Sequence, residues 1–90
     1  MVTLLKINNG KYISIKITKS KEGRLSSCVY SNNCGWVDQY RNGETIYQVI
    51  VNEIKTIKAK LKEKKKDASL KWLLLELNKQ RLNQSQLKLF

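Results

Sequence analysis

The sequence predicts an α+β domain, an antiparallel β-meander of three to five strands followed by one or two amphipathic helices and a C-terminal peptide tail. Three observations carry this expectation. Lys11-Tyr-Ile-Ser-Ile-Lys-Ile-Thr18 alternates strictly, placing Ile13, Ile15 and Ile17 on one side and Tyr12, Ser14, Lys16 and Thr18 on the other. Asn9-Gly10 and Asn42-Gly43 are hairpin signals, because both central residues of a type I′ turn need positive φ. Beyond Gly43 the apolar period lengthens from that of a strand to that of a helix.

Taken in order, Val2 to Ile7 forms a first strand and Lys11 to Thr18 a second. Ser20-Lys-Glu-Gly23 is a loop, after which Arg24 to Tyr30 returns antiparallel. Ser31-Asn-Asn-Cys-Gly35 turns again into Trp36 to Arg41. Ile13, Ile15, Ile17, Leu25, Val29 and Val37 then pack beneath the helices. Thr45 with Gln48 three residues on fits a capping box, and Ile46, Val49, Ile50, Ile54, Ile57 and Leu61 recur at helical spacing. The competing reading makes Thr45 to Val51 a fifth strand, since Thr-Ile-Tyr-Gln-Val-Ile-Val is rich in β-formers. Ala68 to about Leu82 is a second helix or a continuation of the first, with Ala68, Trp72, Leu75 and Leu82 extending a similar stripe. Residues 1–82 are thus read as one basic domain and 83–90 as a peptide.

Composition narrows the function. The chain has 90 residues with 41% apolar content, enough for one small core and too apolar for a disordered tail. Lys and Arg number 18 against 7 Asp and Glu, a net charge of +11, which favours a polyanionic partner. The absence of His removes the commonest general base and metal ligand, and Cys28 and Cys34 alone cannot complete a four-ligand zinc site in a monomer. No cofactor or metal is therefore expected. No stretch approaches the ~20 apolar residues of a membrane span, and the N-terminus lacks a signal-peptide pattern, so a cytoplasmic protein is expected.

The charge has two concentrations. Lys55, Lys58, Lys60, Lys62, Lys64, Lys65 and Lys66 crowd one helical segment, while Lys6, Lys11, Lys16, Lys19, Lys21, Arg24 and Arg41 lie in the sheet half. With the isoleucine face buried, the opposite face collects Tyr12, Lys16, Arg24, Tyr30, Trp36 and Tyr40. Such a set suits unpaired bases, since each ring can stack on one at about 1–3 kcal/mol while the cations follow the phosphates. The expected nucleic-acid-binding residues are these six with Lys55, Lys58, Lys62, Lys65 and Lys66, and the expected ligand is DNA in single-stranded form. The same charge and aromatics would also suit a structural RNA-binding or ribosome-associated protein.

A basic antiparallel sheet followed by a long helix resembles the small single-stranded-DNA-binding coactivator and Whirly-like domains, in element order over roughly residues 2–66. A second resemblance is local. Gln86-Leu87-Lys88-Leu89-Phe90 looks like the clamp-binding pentapeptide of bacterial replication and repair proteins, whose pattern is Gln-Leu-x-Leu-Phe, and it follows a polar spacer, Asn83-Gln-Ser85, at the chain end. The resemblance implies that Gln86 hydrogen-bonds in a polar pocket of a DNA polymerase sliding clamp while Leu87, Leu89 and Phe90 fill the adjoining hydrophobic groove. Three large apolar groups on a short segment suit such a slot, because a few anchors carry most of a peptide's binding energy. The function expected is that of a small DNA-binding accessory protein docked on a sliding clamp, acting in replication or repair, or as a phage or mobile-element modulator of host replication. No catalytic residue is expected.

One enzymatic alternative exists. Asp38 with Glu53-Ile-Lys55 has the Asp…Glu-x-Lys form of Mg²⁺-dependent nucleases of the restriction-endonuclease type, in which two carboxylates hold the metal and Lys steadies the attacking water. That arrangement requires the five-strand reading.

Overall fold

The computed structural model describes residues 1–88 apart from Lys11 and Asn33, with side chains described as far as Gln84. Four strands, β1 (Val2–Asn9), β2 (Ile13–Lys19), β3 (Leu25–Ser31) and β4 (Gly35–Gln39), precede two helices, α1 (Ile46–Glu63) and α2 (Ala68–Lys88). The sheet is an antiparallel meander in sequence order, as the alternating first half of the chain dictates. The α+β architecture is the one the sequence predicts.

Register fixes the two faces. Ile15 lies opposite Ile7 on one side and Val29 on the other, and Ile17 opposite Leu5 and Ser27. Their side chains point at the helices and, with Val49, Ile50, Ile54 and Ile57 of α1 and Leu70, Leu73 and Leu77 of α2, close the core. One sheet face is thereby covered and the other left open, the usual economy of an antiparallel sheet. A bulge between Thr3 and Leu5 interrupts the outer ladder and leaves Leu4 exposed, which roughens the β1 edge against pairing with another chain.

The two Asn-Gly pairs act differently from one another. Asn9-Gly10 turns β1 into β2, with the Tyr12 amide donating to the Asn9 carbonyl at 3.3 Å and Gly10 at φ +60°. Asn42-Gly43 makes no hairpin. Its turn, closed by the Glu44 amide on the Arg41 carbonyl at 3.3 Å, delivers the chain into α1. Of its two central residues only Gly43 has positive φ, at +92°, the type II pattern; a type I′ turn needs it at Asn42 as well.

Thr45 caps α1: its hydroxyl accepts the Gln48 amide at 3.2 Å while the Gln48 side chain accepts the Thr45 amide at 2.8 Å. Residues 45–51 therefore cap and open a helix, and the fifth strand does not form. Thr45→Ala removes one side of this exchange and is expected to cost about 1 kcal/mol, measured as a lower urea midpoint with an unchanged slope.

The lysine run ends α1 at Lys64, and Asp67 starts α2 by accepting the Leu70 amide at 3.1 Å. This break resets the helical phase. The buried stripe of α2 is Leu70, Leu73 and Leu77, whereas Leu75 and Leu82, expected inside, are 63% and 57% exposed. The second helix also continues to Lys88, past residue 82 where the sequence suggests a boundary. Among the described residues no helix is long and apolar enough to cross a membrane.

Candidate nucleic-acid interface

The open face of the sheet is built in rows across the strands. One row is Lys6, Lys16, Cys28 and Val37; the next is Asn8, Ser14, Tyr30 and Gly35; on the other side lie Thr18, Ser26 and Gln39. Lys6 and Lys16 are paired directly, and like charges so placed repel. Their neighbour Tyr30 is 53% exposed, and opposite it Gly35 offers no side chain, so the ring comes to 3.9 Å from where a Cβ would stand. Tyr12 is exposed in the turn leading into β2, and Arg24 is exposed just before β3. Of the sheet residues predicted to meet nucleic acid, Tyr12, Lys16, Arg24 and Tyr30 are thus brought to the surface in the open half of the molecule.

Trp36 and Tyr40 are not. The β3–β4 register sets Val29 opposite Trp36 and Cys28 opposite Val37, so Trp36 turns toward the helices and Val37, expected in the core, is 62% exposed. The reason is a carboxylate inside the protein. Glu53 sits in the aliphatic stripe of α1 with none of its surface exposed, and a buried carboxyl must be given hydrogen bonds. Ser27 and Tyr40 donate to its Oε1 at 2.7 and 2.6 Å, and the Trp36 indole N–H donates to Oε2 at 2.9 Å. An inward valine at position 37 would offer no donor, whereas the adopted register delivers an indole, a hydroxyl and a phenol to one acid. The Lys60 ammonium lies 4.8 Å from the centre of the Trp36 ring, held by cation–π attraction.

Burial raises the Glu53 carboxyl above its ordinary range, and the neighbouring Asp38 carboxyl raises it further. Hydrogen bonds from Tyr40, Ser27 and Trp36 act in the opposite sense. The Tyr40 phenol is pushed well above its usual value, first by burial and then by its bond to Glu53. This network is a joint between α1 and the β3–β4 hairpin.

It also bears on the nuclease alternative. Asp38 and Glu53 do meet, but Lys55 is exposed, because two residues along a helix carry a side chain to the other face. Both Glu53 oxygens already accept protein donors, and among the described residues no three His, Cys, Asp or Glu side chains gather where a metal could be held. The strand that this motif needs is instead the body of α1.

The predicted helical lysines form a second basic surface. Lys55, Lys58, Lys62, Lys65 and Lys66 are all exposed, and none of the five forms an ion pair among the described residues. They belong to the helical layer, on the other side of the sheet from Tyr30 and Lys16, so the predicted set divides into two surfaces. Alternation alone could not have found the outer members of β4: the parity of Leu25, Ser27 and Val29 carried through the turn points Val37 inward, whereas the β3–β4 register flips that parity and sets Trp36 inward and Val37 and Gln39 outward.

In the pentapeptide, Leu89 and Phe90 and the side chains of Gln86 and Leu87 lie outside the described residues. Comparison with protein-family models, with curated proteins and with solved structures finds no match for this chain.

Proposed function

We propose that this protein is a small accessory factor of DNA replication or repair that binds single-stranded DNA on the open face of its sheet and docks on a DNA polymerase sliding clamp through Gln86, Leu87, Leu89 and Phe90. The observation that carries the DNA-binding half is the uncovered sheet face, on which Lys6, Lys16 and Tyr30 stand side by side in a chain of net charge +11. A flat surface with an exposed ring beside cations suits unpaired bases, which need a stacking partner and a path for their phosphates. The lysines of α1 add long-range attraction that speeds encounter. The clamp-docking half is supported by the match of Gln86-Leu87-Lys88-Leu89-Phe90 to Gln-Leu-x-Leu-Phe at all four defined positions.

Titration of a labelled single-stranded oligonucleotide tests the DNA-binding half. Log K should fall linearly with log[salt], with a slope of about −0.7 for each phosphate contacted. Tyr30→Ala should weaken binding by about 1–3 kcal/mol at every salt concentration, since it removes a stacking surface and no charge. A flat salt response, or a Tyr30→Ala variant that binds like the parent, overturns the sheet-face assignment. Competition by duplex DNA and by structured RNA ranks the polyanions, and preference for structured RNA would overturn the single-stranded DNA assignment.

A further inference from the structure

The open face ends in a feature of which the expected binding set includes only Arg24. Beyond the last paired row, Ser26 opposite Gln39, the Tyr40 amide donates to the Leu25 carbonyl at 2.9 Å, so the same antiparallel register continues. Carried one residue further, past the ends of both strands, that register sets Arg24 beside Arg41 on the outer side of the sheet, and both line one groove. Both are exposed, and neither has a carboxylate in ion-pair range among the described residues. Like charges placed opposite one another across strands destabilise a sheet. A cross-strand pair of guanidinium groups is therefore an arrangement that an anion between them would relieve.

The surroundings fit such an anion. Arg24 and Arg41 line a groove of about 650 Å³ together with Ser20, Glu22, Gln39 and Asn42. The volume is that of a small-ligand site, and the amide side chains and hydroxyl supply neutral donors. Two guanidiniums face one carboxylate, Glu22, so the groove carries net positive charge. The turn that holds Arg24 is tied down: its amide donates to the Ser20 hydroxyl at 3.2 Å, its carbonyl accepts the Ser20 amide at 2.9 Å, and Gly23 takes φ +87° to close the loop. Guanidinium forks match phosphate oxygens two at a time, which lysine ammonium groups do not.

We infer that the Arg24–Arg41 groove is a phosphate-binding site, which anchors one phosphate of a nucleic-acid strand laid along β3 and β4 while Tyr30, six residues from Arg24 on the same face, stacks a base further along. The inference rests on the nucleic-acid reading for the strand and on the groove alone for the phosphate.

The test compares the full-length protein with Arg24→Gln/Arg41→Gln, with Lys71→Gln/Lys79→Gln on α2, and with Glu22→Gln, all exposed positions, each first shown to keep the parent's circular dichroism. With a single-stranded oligonucleotide, the double arginine variant should bind about tenfold more weakly, and its salt slope should shrink by about 0.7, the share of one phosphate contact. The double lysine variant, equal in charge, should keep the parent slope, and Glu22→Gln should bind more tightly. If the arginine and lysine variants behave alike, the groove is not a phosphate site, although DNA binding stands. If the parent binds no oligonucleotide, the DNA reading falls, and titration with inorganic phosphate and a 5′-mononucleotide decides the groove. Joint movement of the Arg24 and Arg41 side-chain resonances upholds it, and unmoved resonances overturn it.

Discussion

Glu53→Leu is expected to lower the stability of this protein by about 3 kcal/mol, from the donors it leaves unpaired. Leucine is close in volume to glutamate, so little cavity forms and the loss reports hydrogen bonding. Three groups lose their acceptor: the Ser27 hydroxyl, the Tyr40 phenol and the Trp36 indole N–H. Ser27 is wholly buried and has nowhere to turn for water, while Trp36 and Tyr40 are partly exposed and recover some hydration. For a domain of this size the change corresponds to a fall in Tm on the order of 15 °C, read by circular dichroism. A Tm within a degree or two of the parent would show that the network contributes nothing net.

The same residue gives the protein a pH dependence of definite sign. Burial, and then the neighbouring Asp38 carboxyl, raise the folded-state pKa of Glu53, so the folded protein keeps a proton that the unfolded chain has already released. Across that interval the folded state binds more protons, and stability falls as pH rises. The contribution is complete below the ordinary carboxylate range and lost once pH passes the raised value. The groups facing Glu53 are Asp38 and Tyr40 from β4 and its end, with Ser27 of β3 and the indole of Trp36, over which Lys60 lies. Glu53→Gln cannot ionise and is expected to flatten the pH profile. A profile equally steep in this variant would place the titrating group elsewhere.

Removal of Leu89 and Phe90 is expected to abolish binding to a bacterial sliding clamp. A short peptide that must be ordered on binding reaches roughly micromolar affinity, about −8 kcal/mol. Each large apolar anchor contributes about 1.5–3 kcal/mol through burial, so loss of two moves the dissociation constant to the millimolar range or beyond. Gln86→Ala, which keeps the apolar anchors, should weaken binding less. Fluorescence polarisation against the purified clamp measures both, and unchanged affinity after the deletion would remove the clamp from the proposed function. DNA binding by the sheet face should survive the deletion, which separates the two halves of the proposal.

The sequence was most legible where one local rule had no competitor. The Ile13-Ile15-Ile17 alternation could be buried in only one way, and Thr45 with Gln48 described a helix start whose two reciprocal bonds are both present. Legibility failed where a distant residue decided a local choice. On β4, Val37 is more apolar than Trp36 or Tyr40, and nothing within the strand indicates that an acid 17 residues beyond Trp36 will need its indole. On α2, the position of the break at Lys64–Asp67 set the phase of the whole helix, so Leu75, expected inside, lies on the surface while Leu70 lies in the core. The open sheet face was half read for the same reason: Tyr12, Lys16, Arg24 and Tyr30 lie where alternation from the isoleucines puts them, while the opposed arginines became visible only once the register across the last turn was known.

Because each strand pairs with the one made just before it, and the two helices follow as a hairpin, nearly every element finds its partner among recently synthesised residues. Chain closure is correspondingly inexpensive in entropy, and assembly should proceed on the fast side for a mixed α/β domain, within milliseconds. Nascent chain emerging from a ribosome can therefore complete its sheet before the lysine-rich segment appears. That order shields the meander's apolar side only when α1 arrives, and it makes the interval between those two events the period in which the young protein is most open to association with other chains.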